Sequence, residues 1–359
     1  MLGRMKAALL VPFTLLLWGC ETDEDLKAVR EFVNMASSGT EIFAAISGDF
    51  YGSCLRRARH PSLNAVTTEP QLNNWLLQRN SESTEFKFTS EPQTFAQWRE
   101  QQEQQCQVLF GDLETQLNQP NQLMADYIQK LGELADGEVS NYSNNFNNLK
   151  GSLNNFSQSL QKFPKTKLSG FKPTHTMGAV SILEFLVEAG NRDFQREQLI
   201  EVISQTDNHL QQLIAGLSTI TEEDYHSLLD LEAQQLDRYY QDPILRELNR
   251  LEETKSPEAD RRGNLPLTAV LVDSQWRAEK SKIDRRRKQA EAYVQVITEI
   301  GKTHSELKNR LLDRPITSTP EEFNQLITES TQTLKPLVNE AIQITQQLSG
   351  EQHGNSNNR

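Results

Sequence analysis

Apolar residues three and four apart, kept up turn after turn, are the pattern that most narrows what this chain can fold into. The clearest run is Ile283, Ala290, Ile297, His304 and Leu311, spaced by sevens, with Tyr293, Ile300 and Leu307 between them. That spacing puts one narrow stripe on a long α-helix, and only other helices bury such a stripe well. From Asp23 onward the pattern repeats with Leu26, Val29, Val33, Ala36, Phe43, Phe50 and Cys54. It returns in Leu199, Ile203, Leu210, Leu213, Leu217 and Ile220, and again in Phe323, Ile327, Leu334, Leu337, Ala341, Ile344 and Leu348. The expected fold is all-α, an elongated antiparallel bundle of about six to eight helices with coiled-coil-like seams.

Proline, glycine and capping residues set the expected boundaries. His60-Pro61 ends the first helix. Residues 60–93 hold Pro61, Pro70 and Pro92 and no sustained period, with room for a short helix at 72–79 and a brief strand at 86–89. Phe95, Trp98, Cys106, Leu109, Leu113 and Leu117 form the next stripe, up to Pro120. Residues 121–163 then read as one helix, carrying Ile128, Ala135, Tyr142, Leu149, Phe156 and Phe163 by sevens and an outer face of Asn, Ser and Gln. Thr221-Glu222-Glu223-Asp224 reads as an N-cap with an acidic first turn, and Asp242-Pro243 as a restart. Arg314-Pro315 breaks the longest helix, and Thr319-Pro320-Glu321-Glu322 starts the last, which Pro336 is expected to kink and Gly350 to stop. The organisation expected is a leader at 1–19, a bundle at 20–350 divisible at 20–163 and 176–350, and a polar tail at 351–359.

Composition then narrows the partners. The apolar share, counted with Gly and without Tyr, is about 39 %, against roughly 45–50 % for an ordinary domain. Long helices with narrow seams need fewer apolar residues per turn, which accounts for the deficit without invoking disorder. A net charge of −12 argues against general nucleic-acid binding.

The first twenty residues are MLGRMKAALLVPFTLLLWGC: Arg4 and Lys6, then a short apolar run too brief to span a bilayer, then Leu17-Trp18-Gly19-Cys20. This segment resembles the signal peptide of bacterial lipoproteins. There a lipobox precedes a cysteine that receives a diacylglyceryl group, and cleavage falls just before it. Gly19 and Leu17 match the small and branched positions, and Trp18 stands where Ala or Ser is usual. The resemblance covers residues 1–20 only. It implies acylation of Cys20, a bilayer as first partner and a cell-envelope address. With Glu21 rather than Asp after the cysteine, it implies outer-membrane sorting, facing the periplasm, if the source is Gram-negative. An ordinary cleaved signal with a chance cysteine is the alternative. Removing Cys20 leaves Cys54 and Cys106, an even pair in a secreted chain, which reads as one disulfide; two buried thiols are the alternative.

No motif for chemistry emerges. The six histidines, at 60, 175, 209, 226, 304 and 353, lack metal-ligand spacing. Gly301-Lys302-Thr303 lacks the first glycine of a phosphate loop and lies inside a helical stripe. No catalytic residue, metal or cofactor is therefore assigned. One electrostatic feature stands out in an acidic chain. Residues 277–288 hold Arg277, Lys280, Lys282, Arg285, Arg286, Arg287 and Lys288 against Glu279 and Asp284, directly after the apolar segment 267–276 with Trp276. Arg286 falls on a seam, so the bundle is expected to splay or end there. A second apolar segment, 177–190, is expected to lie at the same end as 267–276 and cap it. Three functions follow. The first is a lipid-anchored, non-enzymatic envelope scaffold binding a protein, an opposed membrane or cell-wall polymer. The second is a membrane-active protein using 177–190 and 267–288 on anionic lipid. The third is an envelope hydrolase, which needs a polar cleft that long seams rarely offer. The competing account of the basic run is a solvated helix paired with acidic neighbours.

Overall fold

A computed structural model describes residues 18–60, 95–111, 113–136, 178, 181–182, 196–253, 265–312 and 320–354. Among these residues the chain is all-α and no strand occurs. The helices are α1 (Trp18–Thr40), α2 (Ile42–Arg59), α3 (Phe95–Phe110), α4 (Leu113–Asp136), α5 (Arg196–Thr219), α6 (His226–Glu253), α7 (Leu265–Leu312) and α8 (Pro320–Gly354). A single π-helical turn, Ile220–Tyr225, joins α5 to α6 without a break.

The seams are buried as their spacing requires. Ile283, Ala290, Tyr293, Ile297, Ile300, His304, Leu307 and Leu311 all lie inside, as do Val29, Val33, Ala36, Phe43, Phe50 and Cys54. Leu199, Ile203, Leu210, Leu213, Leu217 and Ile220 join them in one apolar cluster that also takes Leu117, Leu123 and Ile128 from α4 and Leu334 and Ala341 from α8.

Cross-helix contacts fix the directions. Along α1–α2 and α7, Phe32 meets His304, Gly39 meets Val296 and Ile300, Phe43 stacks near Tyr293, and Asp49 pairs with Arg286. The two rods are therefore antiparallel and keep one register through the turn at Glu41. At Gly39 they come so close that a Cβ would strike Val296. Helix α4 runs antiparallel to α1–α2, since Arg30 pairs with Asp136 and Asn121 Nδ2 donates to the Thr40 carbonyl. The rod α5–α6 is antiparallel to α7, with Asp207 beside His304 and Asp237 beside Trp276. Helix α8 follows α7 through Gln289 and Thr345. Rods α1–α2 and α7 form the centre, and the others pack around them.

Several boundaries differ from the sequence reading. Helix α1 begins at Trp18, so Asp23, Glu24 and Asp25 lie beyond its first turn. Helix α4 runs through Pro120; the break comes earlier, at Gly111, whose N–H bonds the Gln107 carbonyl. Thr221 is not an N-cap. Its hydroxyl donates to the Leu217 carbonyl four residues back, inside a continuous rod, and the acidic residues after it lie in the π turn. Helix α6 continues past Asp242-Pro243, and α8 past Gly350 to Gly354, into the segment expected to be tail. In each case packing outweighs a local stop signal. Gly178 and Ile182 are the described apolar positions of 177–190. A Cβ on Gly178 would lie 2.9 Å from the His209 carbonyl, level with Gly301, whereas Trp276 bonds Asp237 near the opposite end. These residues therefore do not cap 267–276. The expected features at 1–17, 72–79, 86–89 and 137–163 lie outside the described residues.

Candidate functional site

Arg286 does not end the bundle; it is paired inside it. Its side chain is 9 % exposed. Its Nε lies 3.5 Å from Asp49 and its Nη1 3.5 Å from Glu232. Arg56, one turn beyond Gly52 on α2, binds the same two acids more tightly. Its Nε and Nη2 donate to Glu232 at 2.7 and 3.0 Å, and its Nη1 and Nη2 to Asp49 at 2.8 Å each. Ser53 donates to Glu232 at 2.6 Å, and Tyr225, the last residue of the π turn, to Asp49 at 2.7 Å. Two guanidiniums thus face two carboxylates across α2, α6 and α7. Burial alone would lower the pKa of Arg56, but Asp49 and Glu232 hold it above the ordinary guanidinium value. Burial, together with the Asp49 charge, holds the Tyr225 phenol up.

A cleft of about 410 Å³ opens beside this cluster, between Gly48 and Gly52 on α2, Arg286 and Gln289 on α7, and Thr345 on α8. Its carboxylate, Asp49, is committed to Arg56 and Tyr225. The sequence reading missed Asp49, Arg56, Glu232 and Tyr225 as a group. One signal was present: Glu232 falls three after Leu229 and four before Leu236, on a seam, as Arg286 does. Charged residues on two facing seams imply each other.

A second polar cluster lies in the other half of the bundle. His304, wholly buried, places Nδ1 2.9 Å from Asp207 and Nε2 2.7 Å from the Tyr127 hydroxyl. Tyr127 lies 2.5 Å from the Thr206 hydroxyl, which donates to the Val202 carbonyl at 2.7 Å. Asp207 also accepts from Ser305 at 2.7 Å and Lys308 at 2.5 Å. Burial would raise the Asp207 carboxyl, but these bonds hold it well below its ordinary value. For His304 burial prevails over the Asp207 bond and lowers its pKa from the ordinary 6.5. The seam histidine is thus accommodated by partners.

The basic run proves largely paired within the protein. Arg277 bonds Asp273, Lys280 bonds Asp237, Lys282 bonds Glu279, and Arg287 bonds both Asp230 and Asp284. The Trp276 indole N–H donates to Asp237, and Lys280 sits 5.0 Å over the Trp276 ring. Arg285 contacts the Ser281 hydroxyl, and Lys288 is exposed. The acids of these pairs come from α6 and from α7 itself. Just before the run, Val270 and Leu271 are 63 % and 62 % exposed, the most open large apolar residues among those of α7 whose side chains the structure describes.

Cys54 and Cys106 form a disulfide, with Cα atoms 5.7 Å apart, tying α3 to α2. Cys20 lies in the first turn of α1. Among the described residues no helix is long and apolar enough to cross a membrane, and no group of His, Cys, Asp and Glu is placed to hold a metal ion. Comparison with protein-family models, with curated proteins and with solved structures gives no match.

Proposed function

We propose that the protein is a lipid-anchored envelope scaffold that meets its partner with the end of the bundle farthest from its anchor. One observation supports this reading above the others: the constant register of α1–α2 on α7. By that register Cys20 lies just past the α7 C-terminus, and Val270 and Leu271 lie just past His60, at the other end. At 1.5 Å per residue the two levels are about 70 Å apart. An acylated Cys20 would hold the near end at a bilayer and direct the apolar pair away from it. The internal pairing of the basic run favours a protein partner over anionic lipid, because most of those cations already have carboxylates.

Two measurements test it. Metabolic palmitate labelling of the full chain should give a band that Cys20→Ala abolishes; an unlabelled native chain overturns the anchor. A photo-crosslinking residue at Leu271 should give adducts in intact envelopes that the same residue at Lys27, near the anchor, does not. Equal yields at both positions overturn the end-on partner. The membrane-active alternative predicts binding of the unlipidated chain to anionic liposomes, lost on Arg277→Glu with Lys288→Glu.

A further inference from the structure

The relay around His304 has one more contact than a neutral imidazole can fill. From Asp207 to the Val202 carbonyl, four contacts run in series: Asp207 to Nδ1 at 2.9 Å, Nε2 to the Tyr127 hydroxyl at 2.7 Å, Tyr127 to Thr206 at 2.5 Å, and Thr206 to Val202 at 2.7 Å. Each needs one hydrogen. Tyr127 and Thr206 bring one apiece. Asp207, which accepts from Lys308 and Ser305, brings none. A neutral His304 brings one, so one of the four contacts is left without a hydrogen; with that hydrogen on Nδ1, donated to Asp207, the gap falls between two oxygens. An imidazolium brings two, and every contact is then filled in one direction: Nδ1–H to Asp207, Nε2–H to the Tyr127 oxygen, Tyr127 O–H to Thr206, and Thr206 O–H to Val202.

We infer that this relay is a pH-responsive latch between α4 and the α5–α7 pair, one bond short when His304 is neutral and complete when His304 takes up a proton. The Tyr127 hydroxyl is the moving part. It donates to Nε2 in the neutral state and turns to Thr206 in the charged one. The titratable and charged groups that face His304 are Asp207 from α5, Tyr127 from α4 and Lys308 one turn along α7; α1 presents the ring of Phe32, with centroids 6.2 Å apart. Burial and Lys308 oppose the imidazolium and Asp207 favours it, so proton uptake falls on the acid side of the ordinary 6.5. Tyr127 is wholly buried, so no water substitutes for the missing hydrogen without opening the helix contact.

The test is a histidine NMR titration of the full chain with Thr206→Val. Valine keeps the shape and removes the oxygen that creates the shortage. The neutral relay then has no vacant contact, while the charged one loses an acceptor for Tyr127. The His304 pKa should fall by about one pH unit, the size of one net hydrogen bond. Thr206→Ser, which restores the hydroxyl, should return it to the wild-type value. An unchanged pKa in Thr206→Val, or a His304 that never titrates in the folded wild type, overturns the latch. A second reading needs no variant: in the wild type the Tyr127 ring resonances should titrate together with His304. Ring signals that stay constant through that titration overturn it equally.

Discussion

The two buried polar clusters answer the same problem differently. At the far half, Asp49, Arg56, Glu232 and Arg286 set two permanent cations against two carboxylates, with Tyr225 and Ser53 filling remaining acceptors. At the near half, Asp207, His304, Tyr127 and Thr206 form a chain of hydrogen bonds around a ring that gains and loses a proton. Guanidinium does not titrate in any range where proteins fold. Imidazole does. The cations of the far cluster therefore keep their charge across the range in which imidazole titrates, and the near cluster makes the seating of α4 depend on pH. Burial of polar groups is not one device but two, and the side chain's own proton chemistry decides which.

The comparison can be broken most forcefully at Arg56. Arg56→Met leaves Asp49 and Glu232 facing each other with only the longer Arg286 contacts, and should cost about 3–5 kcal/mol, read by chemical denaturation. A loss under 1 kcal/mol would show that Arg286 alone balances the cluster. Next in size is the disulfide. Cys54→Ser with Cys106→Ser should cost about 2–4 kcal/mol, and hydrogen exchange should rise in α3 before it rises in α4. Equal loss of protection in both helices would mean that the bridge serves the whole bundle. Tyr127→Phe strands Nε2 of a buried histidine and should cost about 1–3 kcal/mol.

The pH arm is smaller and sharper. The folded His304 pKa lies below its ordinary value, so on acidification the unfolded chain takes up the proton first. This contribution to stability is complete above about pH 6.5 and is lost as the pH falls from there through the folded pKa. His304→Gln should remove that slope and leave the far cluster untouched. A slope that persists in the variant would assign it to another group. Smallest is Arg277→Ala, which cuts an exposed pair with Asp273 one turn away; the denaturation midpoint should stay where it is.

Much of the fold was legible because seam positions are a geometric statement. Val29, Ile203, Ile297 and Leu334 are buried for the reason their spacing gave. The boundaries were less so. Pro120 and Gly350 are stop signals of about 1–3 kcal/mol, less than the contacts a continuing helix makes. The π turn was illegible, since its acidic residues mimic a helix start. The disulfide followed from counting cysteines and from their shared seam. The ionic cluster was half legible. Arg286 on a seam signalled a conflict, but read alone it suggested the bundle's end. Its resolution required Arg56 and Asp49, over 200 residues away in sequence. No pattern within α7 carries that information.

The shared register of α1–α2, α4 and α7 has a consequence for how this molecule can change size. A heptad inserted into α7 alone would slide His304 away from Phe32, or Arg286 away from Asp49, and no single helix could restore both. Lengthening would require matched insertions in every rod that crosses the same level. The span between the two ends is therefore a property held jointly. Drift in one helix cannot alter it, and only concerted change can.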